Sequence, residues 1–146
     1  MSTDDGRGQD LRFCHLAAAT RAKDVILLVE DDPAVSRTFE RMLQLAGYDV
    51  VVAQDALTGL GAMAESSPAA VIVELGMPMM NGLGLVRRIR ERETNGRRTP
   101  IAVLTGNNLL DNTVRRHLHE LQTELYFKPL WLNDLLQILD KLLASR

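Results

Sequence analysis

Two apolar runs of this chain end in acidic side chains, one in a hydroxyl and one in an amine. VILLV stops at Glu30, Asp31 and Asp32, AAVIVEL carries Glu74 into the turn GMPMMNG, IAVL gives way to Thr105 and Gly106, and ELYF gives way to Lys128 and Pro129. Carboxylates held near one another repel and raise one another's pKa unless a cation sits among them. A hard divalent ion with oxygen ligands meets that need, and Mg2+ suits a site with few carboxylates and room for water. Lys128 adds a point charge for a phosphoryl-sized anion, and Thr105 adds a hydroxyl donor. Singly, each residue has a plainer explanation: Asp32 before Pro33 reads as a helix N-cap, and a threonine or lysine ending a strand reads as structural or surface. Their joint occurrence at four run ends is what favours a site for a metal ion and a phosphoryl-sized group.

That site exists only if the fold gathers the four ends. VILLV has the length of a buried strand, and PAVSRTFERMLQLAG sets Val35, Phe39, Met42 and Leu43 on one helical face before stopping at Gly47. DVVVA then reads as a strand, Asp55 as a cap, and ALTGLGAMAES as a helix with Ala56, Leu60 and Met63 repeating at helical spacing. The unit recurs with strands AAVIVEL, IAVL and ELYF, and with helices near residues 83–93, 109–121 and 133–144. Continuously apolar strands imply a sheet covered on both faces, and strand-helix alternation implies parallel pairing with right-handed crossovers. The fold class is therefore α/β, a doubly wound five-stranded parallel sheet. Ligands of such sheets sit outside the carboxyl ends of the strands, where strand order reverses.

The whole chain has 146 residues, 46% of them hydrophobic and 25% charged, with net charge −2. This fits one domain of ordinary size over residues 24–146 and gives no field for gripping nucleic acid or an acidic membrane surface. Residues 1–23 hold mixed charges and one short apolar patch, FCHLAAA, and are expected to form a flexible tail. No apolar run approaches the ~20 residues of a membrane span, and the acidic start lacks the basic region of a secretory signal, so the expected compartment is cytoplasmic. Cys14 is alone, which excludes a disulfide framework. NGLG is not extended to G-x-G-x-x-G, so a dinucleotide is not expected. Arginines 87, 88, 90, 92, 97 and 98 read as a solvated face at a helix end, and His117 and His119 are spaced too closely to share a helical face.

ILLVEDDPAVSR, VIVELGMPMMNGLGLVRRIR, IAVLTG and YFKPL resemble the receiver domain of bacterial two-component response regulators over roughly residues 24–144. The resemblance implies a flavodoxin-like (βα)5 receiver fold and a phosphorelay function. It implies that Glu30 and Asp31 help bind Mg2+, that Thr105 and Lys128 contact a phosphoryl group, and that the Lys128–Pro129 peptide is cis. Gly76 falls where a carbonyl completes the metal shell, giving a metal set of Glu30, Asp31, Glu74 and Gly76. The group that accepts phosphate from a histidine kinase is, in the family, an aspartate three residues before Met-Pro.

Here that position is Glu74. One added methylene moves the carboxylate by about 1.5 Å, out of the in-line position and toward the place of the phosphoryl oxygens. Phosphoryl acceptance is expected to fail, because attack needs placement finer than about 1 Å. Two origins fit: a receiver that has abandoned phosphorylation, or a phosphomimetic substitution. Leu125 stands where the family has Tyr or Phe, Leu121 and Gln122 stand where it has Gly-Ala, and Trp131 opens the last helix where it often has a small polar cap.

The expected function is a single-domain receiver that signals through protein contacts and is not an enzyme, with weak Mg2+ binding and no nucleic-acid-binding region after the last helix. Its expected partners are a histidine kinase, a downstream effector, or a second copy docked through helix four, strand five and helix five, a face to which Leu109, Tyr126 and Trp131 contribute. The alternatives are a Mg2+-dependent phosphotransfer domain that still accepts a phosphoryl group, and an adaptor in which Glu74 and Lys128 are merely a stabilising ion pair.

Overall fold

The computed structural model describes residues 23–94, 96–107 and 110–144. Strands β1 (Val25–Val29), β2 (Asp49–Ala53), β3 (Ala70–Glu74), β4 (Ile101–Thr105) and β5 (Glu124–Phe127) alternate with helices α1 (Pro33–Leu45), α2 (Ala56–Ser66), α3 (Gly82–Arg92), α4 (Asn112–Glu120) and α5 (Leu132–Ala144). The tail assigned to residues 1–23 lies outside the described residues except for Lys23, and so does Leu109. Among the described residues no helix is long and apolar enough to cross a membrane.

All neighbouring strands pair in parallel, in the order β2-β1-β3-β4-β5. The chain steps outward from β1 to β2 and then returns to the other side of β1 with β3. This is the doubly wound sheet, and its order reverses between the carboxyl ends of β1 and β3. Alternate residues of each strand face opposite layers. Leu27, Val29, Val71, Val73, Ile101 and Val103 pack beneath α2, α3 and α4, which contribute Leu60, Leu85, Ile89 and Leu118. Ile26, Leu28, Ile72 and Leu104 pack beneath α1 and α5, which contribute Phe39, Leu43, Leu135 and Leu139. Burying each such side chain contributes roughly 1.5–3 kcal/mol, so the apolar runs that read as strands also anchor both helical layers.

Polar caps set where the helices begin. Asp32 accepts from the N–H groups of Ala34 (2.9 Å) and Val35 (3.3 Å), Asp55 from Thr58 (2.7 Å), Asn81 from Gly84 (3.0 Å) and Asp111 from Thr113 (2.7 Å). The Asp111 cap starts α4 at Asn112, later than the apolar pattern suggested. At α5 the side chain of Asp134 reaches back to accept from the Trp131 N–H (2.9 Å), which is how the helix opens without a small polar cap. Gly47, at φ +99°, ends α1 in the left-handed region that favours glycine.

One arginine departs from its expected solvated place. The side chain of Arg90 is 6% exposed and donates to the carbonyls of Leu121 (2.8 Å), Thr99 (2.9 Å) and Gln122 (3.2 Å) and to Glu93 (2.8 Å). It joins the end of α3 to the turn before β5, where Gln122 is held at φ +58° without the glycine that such a backbone favours.

The start of α3 is pressed against the end of β3. A Cβ at Gly82 would lie 2.6 Å from the Glu74 carbonyl oxygen and 2.9 Å from the Leu75 Cα, backbone atoms that cannot rotate away. Gly82→Ala is therefore expected to lower stability by about 1–3 kcal/mol, read as a drop in urea midpoint. Gly61 of α2 has nothing within 4 Å of such a Cβ. Gly61→Ala should be neutral or stabilising by up to about 1 kcal/mol, and equal midpoints for the two variants would reject the close approach at Gly82.

Candidate functional site

The reversal of strand order places Glu30, just after β1, beside Glu74, the last residue of β3. Thr105 ends β4 and Lys128 follows β5. The registers continue into the site through backbone bonds, Glu30 N–H to the Ala53 carbonyl (3.0 Å) and Lys128 N–H to the Thr105 carbonyl (2.8 Å). Lys128 precedes Pro129 through a cis peptide bond, as the resemblance implied.

Glu30, Glu74 and Thr105 are buried, at 3%, 9% and 4% exposure. Buried carboxylates need partners, and Lys128 supplies one ammonium to both: its Nζ contacts Glu30 Oε1 at 2.8 Å and also pairs with Glu74 Oε1. The second oxygens are met by backbone donors, Glu30 Oε2 by the Asp32 N–H (3.2 Å) and Glu74 Oε2 by the Gly76 N–H (2.9 Å). Thr105 Oγ1 accepts from the Asn107 N–H (3.1 Å). The Lys128 ammonium also lies 6.0 Å from the centre of the Phe39 ring, at the outer limit of a cation–π contact.

The structure thus brings together Glu30, Glu74 and Lys128, with Thr105 on the neighbouring strand end. Asp31, half-buried, makes no hydrogen bond or ion pair among the described residues, and Asp32 turns away to cap α1. Gly76 enters as an N–H donor to Glu74. Sequence reasoning missed Gly82 and Arg90. The Asn81-Gly82 pair could have flagged the first, since a glycine opening a helix right after a site loop signals close backbone approach. Nothing in local pattern distinguishes Arg90 from its exposed neighbours.

Burial holds the Glu30 carboxyl above the ordinary carboxylate range. The Lys128 hydrogen bond, the Asp32 N–H and the Lys128 charge pull it back in part, while the Glu74 charge adds to the rise. For Lys128, burial favours the neutral amine, but hydrogen bonds to Glu30 and Glu74 and the charges of both outweigh it and hold the ammonium above the usual lysine value.

Mg2+ fits this arrangement poorly. Every Glu30 and Glu74 carboxylate oxygen already has a donor, and the ammonium occupies the space between the two acids. Among the described residues no three His, Cys, Asp or Glu side chains form a group that could hold a metal.

Leu125, three residues before Lys128, packs half-buried beneath α4, while Tyr126 faces α5 and gives its hydroxyl to Glu124 (2.6 Å). Burial and that bond hold the Tyr126 phenol well above its ordinary pKa. Phe127 returns to the α4 side, under Arg115 at 5.1 Å.

A family model described as the response regulator receiver domain matches residues 26–140. The response regulator MprA of Mycobacterium sp. (strain KMS) is 37% identical over 89 residues, which cover 61% of this chain and 37% of that protein. The sensory/regulatory protein RpfC of Xanthomonas campestris pv. campestris (strain 8004) is 39% identical over 89 residues, 60% of this chain and 12% of that one. The matched region is thus little more than a third of these relatives' length, or less. Among solved structures, the chemotaxis protein CheY4 of Vibrio cholerae superposes with a TM-score of 0.75 at 25% identity, over 83% of this chain and 99% of that one. A putative response regulator from Chloroflexus aurantiacus J-10-fl gives 0.74 at 26% identity, over 85% and 99%.

The raised Glu30 carboxyl makes stability depend on pH. A carboxyl whose folded pKa lies above its unfolded value penalises the fold once ionised, so the penalty is present at neutral pH and disappears as pH falls through the folded value toward the ordinary 4.5. Glu30→Gln, which leaves Lys128 paired with Glu74, is expected to raise the unfolding midpoint at pH 7 and to lose that gain near pH 4.5. A variant less stable than the parent at pH 7 would show that the Lys128 contact outweighs the burial of the charge.

Proposed function

The chain belongs to the response regulator receiver domain family, and from that premise we propose that it is a receiver with Glu74 at the phosphoacceptor position, set by a standing charge and not by a transferred phosphoryl group. The observation that carries this reading is the single Lys128 ammonium bound to Glu74 and Glu30 together. In the family's chemistry this lysine answers a phosphoryl group on an aspartate. Here a carboxylate one methylene longer is already on the amine.

The mimicry is partial. Phosphorylation brings about −1.5 to −2 charge and three acceptor oxygens, whereas a glutamate brings one charge and two oxygens. Attack on a phosphodonor is disfavoured twice over. The carboxylate is displaced from the in-line position, and both of its oxygens are held, by Lys128 and by the Gly76 N–H. Mg2+ binds weakly, because in Glu30 and Glu74 one oxygen is held by Lys128 and the other by a backbone N–H, and Asp31 with the Gly76 carbonyl gives too few ligands alone.

Signalling then depends on protein contacts, with a histidine kinase or an effector as partner, or with a second copy. The face formed by α4, β5 and α5 carries the exposed apolar side chains Trp131 (70%) and Leu132 (38%) at the start of α5. Tyr126 contributes less than its sequence position suggested, since it is half-buried and its hydroxyl is tied to Glu124. With Leu125 in place of an aromatic ring, Thr105 has no ring to couple to at that position, which fits a constitutive surface better than a switched one.

Acetyl phosphate with Mg2+ should add no stable phosphoryl mass to the unaltered chain, whereas Glu74→Asp should gain a base-labile adduct visible in the intact mass. A robust adduct mapped to Glu74 in the unaltered chain would sink the standing-charge reading and favour a working phosphotransfer domain. For the output face, Trp131→Ala should weaken self-association or partner capture without a phosphodonor while leaving unfolding cooperative. Sedimentation that finds a monomer at every concentration, with partner capture unchanged by the variant, rejects that face.

A further inference from the structure

At the amino edge of the sheet, away from the carboxylate site, two cavities run together. The larger, about 660 Å3, is bordered by Lys23 and Asp24 at the start of β1, by the turn between α2 and β3, and by Arg97 and Arg98 between α3 and β4. The smaller, about 260 Å3, lies between α2 and α3, walled by Leu60, Met63 and Ile89 with Arg92 at its rim. Ser67, Pro68, Arg97 and Thr99 border both, so the two form one cleft, cationic at one end and apolar at the other. Arg92, Arg97 and Arg98 are exposed and form no ion pair among the described residues. Unpaired guanidinium groups beside an apolar hollow suit a polypeptide that brings carboxylates and apolar side chains together.

The chain itself carries such a stretch, and it joins the cleft covalently at Lys23. Residues 1–10 hold Asp4, Asp5 and Asp10 against the single Arg7, and Leu11, Phe13 and Leu16 follow at once; Arg12 and Arg21 come later, so the acidic excess lies in the first ten residues. All of these precede the family match, which begins at residue 26, so they are not accounted for by the receiver machinery. The ten residue steps from Phe13 to Lys23 span up to about 33–36 Å when extended, ample to turn back along the cleft.

We propose that the amino-edge cleft is a docking site for the chain's own residues 1–22, with Leu11 and Phe13 entering the apolar hollow between α2 and α3 and the aspartates meeting Arg92, Arg97 and Arg98. Docked in this way, the segment braces α2 against α3 and screens a basic patch from acidic partners. It leaves the carboxyl edge open.

Cys14 is the only cysteine in the chain, so a nitroxide attached there in the full chain marks where the segment goes. Amide signals of Met63, Ser67, Arg97 and Thr99 should broaden strongly, while those of Thr105 and Trp131 should not. Arg97→Glu with Arg98→Glu should reduce the broadening severalfold. Because the label sits close to the inserted side chains, Cys14→Ser with Ser2→Cys provides a second label position, expected to broaden Arg97 and Thr99. Absence of broadening at these residues from both label positions, or broadening that the charge reversal leaves unchanged, overturns the proposal. A mixture of labelled chain with isotopically enriched unlabelled chain should show none; broadening there would assign the segment to a second copy and overturn docking within one chain.

Discussion

Two buried carboxylates at the reversal of strand order need a cation, and this chain supplies one from its own Lys128. Glu30 and Glu74 come to the same place because β1 and β3 are neighbours, and those strands are neighbours because their apolar residues must be covered by helices on both faces. The charges of the cluster, two negative and one positive, sum to −1, and each carboxylate oxygen has a hydrogen-bond donor. Removing Lys128 from such a set leaves two buried carboxylates without their cation, a loss on the order of 3–5 kcal/mol. The site's composition and its stability are therefore one problem. In the reading proposed above, a side chain long enough to hold the lysine continuously is also poorly placed to take a group from a donor.

The same geometry shows where the structure depends on backbone and not on side chains. Gly82 lets α3 begin against the carbonyl of Glu74, and the Gly76 N–H fixes the other end of that residue's carboxylate. Arg90 works at a distance, holding the turn before β5 through the carbonyls of Leu121 and Gln122. Because β5 delivers Lys128, this buried guanidinium helps set the register that brings the ammonium to the two acids. A site of three charged side chains thus rests on a glycine, a loop amide and an arginine at the opposite end of a helix.

Much of this was legible in the sequence because periodicity reports burial. VILLV, DVVVA and ELYF match their strands residue for residue, and Asp32 and Asp55 cap the helices they precede. The start of α4 was misplaced because apolar spacing ran on past the Asp111 cap that limits it. The members of the cluster could be named from strand ends, but the shared bond from Lys128 to Glu30 could not, since ninety-eight positions separate them and only the parallel register closes the gap. Arg90 was hidden among exposed arginines for the same reason: its partners are carbonyls, which leave no mark in composition.

The Lys128 ammonium is held between Glu74 and Glu30. Proton exchange at the lysine side chains tests this directly, because Lys23, Lys128 and Lys141 are the only lysines in the chain. In a nitrogen-15 spectrum of side-chain ammonium groups near neutral pH, one signal should be protected from exchange, vanish in Lys128→Arg, and speed up when Glu74→Gln and Glu30→Gln are combined. It should not respond to acetyl phosphate. A Lys128 ammonium that exchanges as fast as exposed Lys141, or one that shifts when the phosphodonor is added to the unaltered chain, would contradict the account.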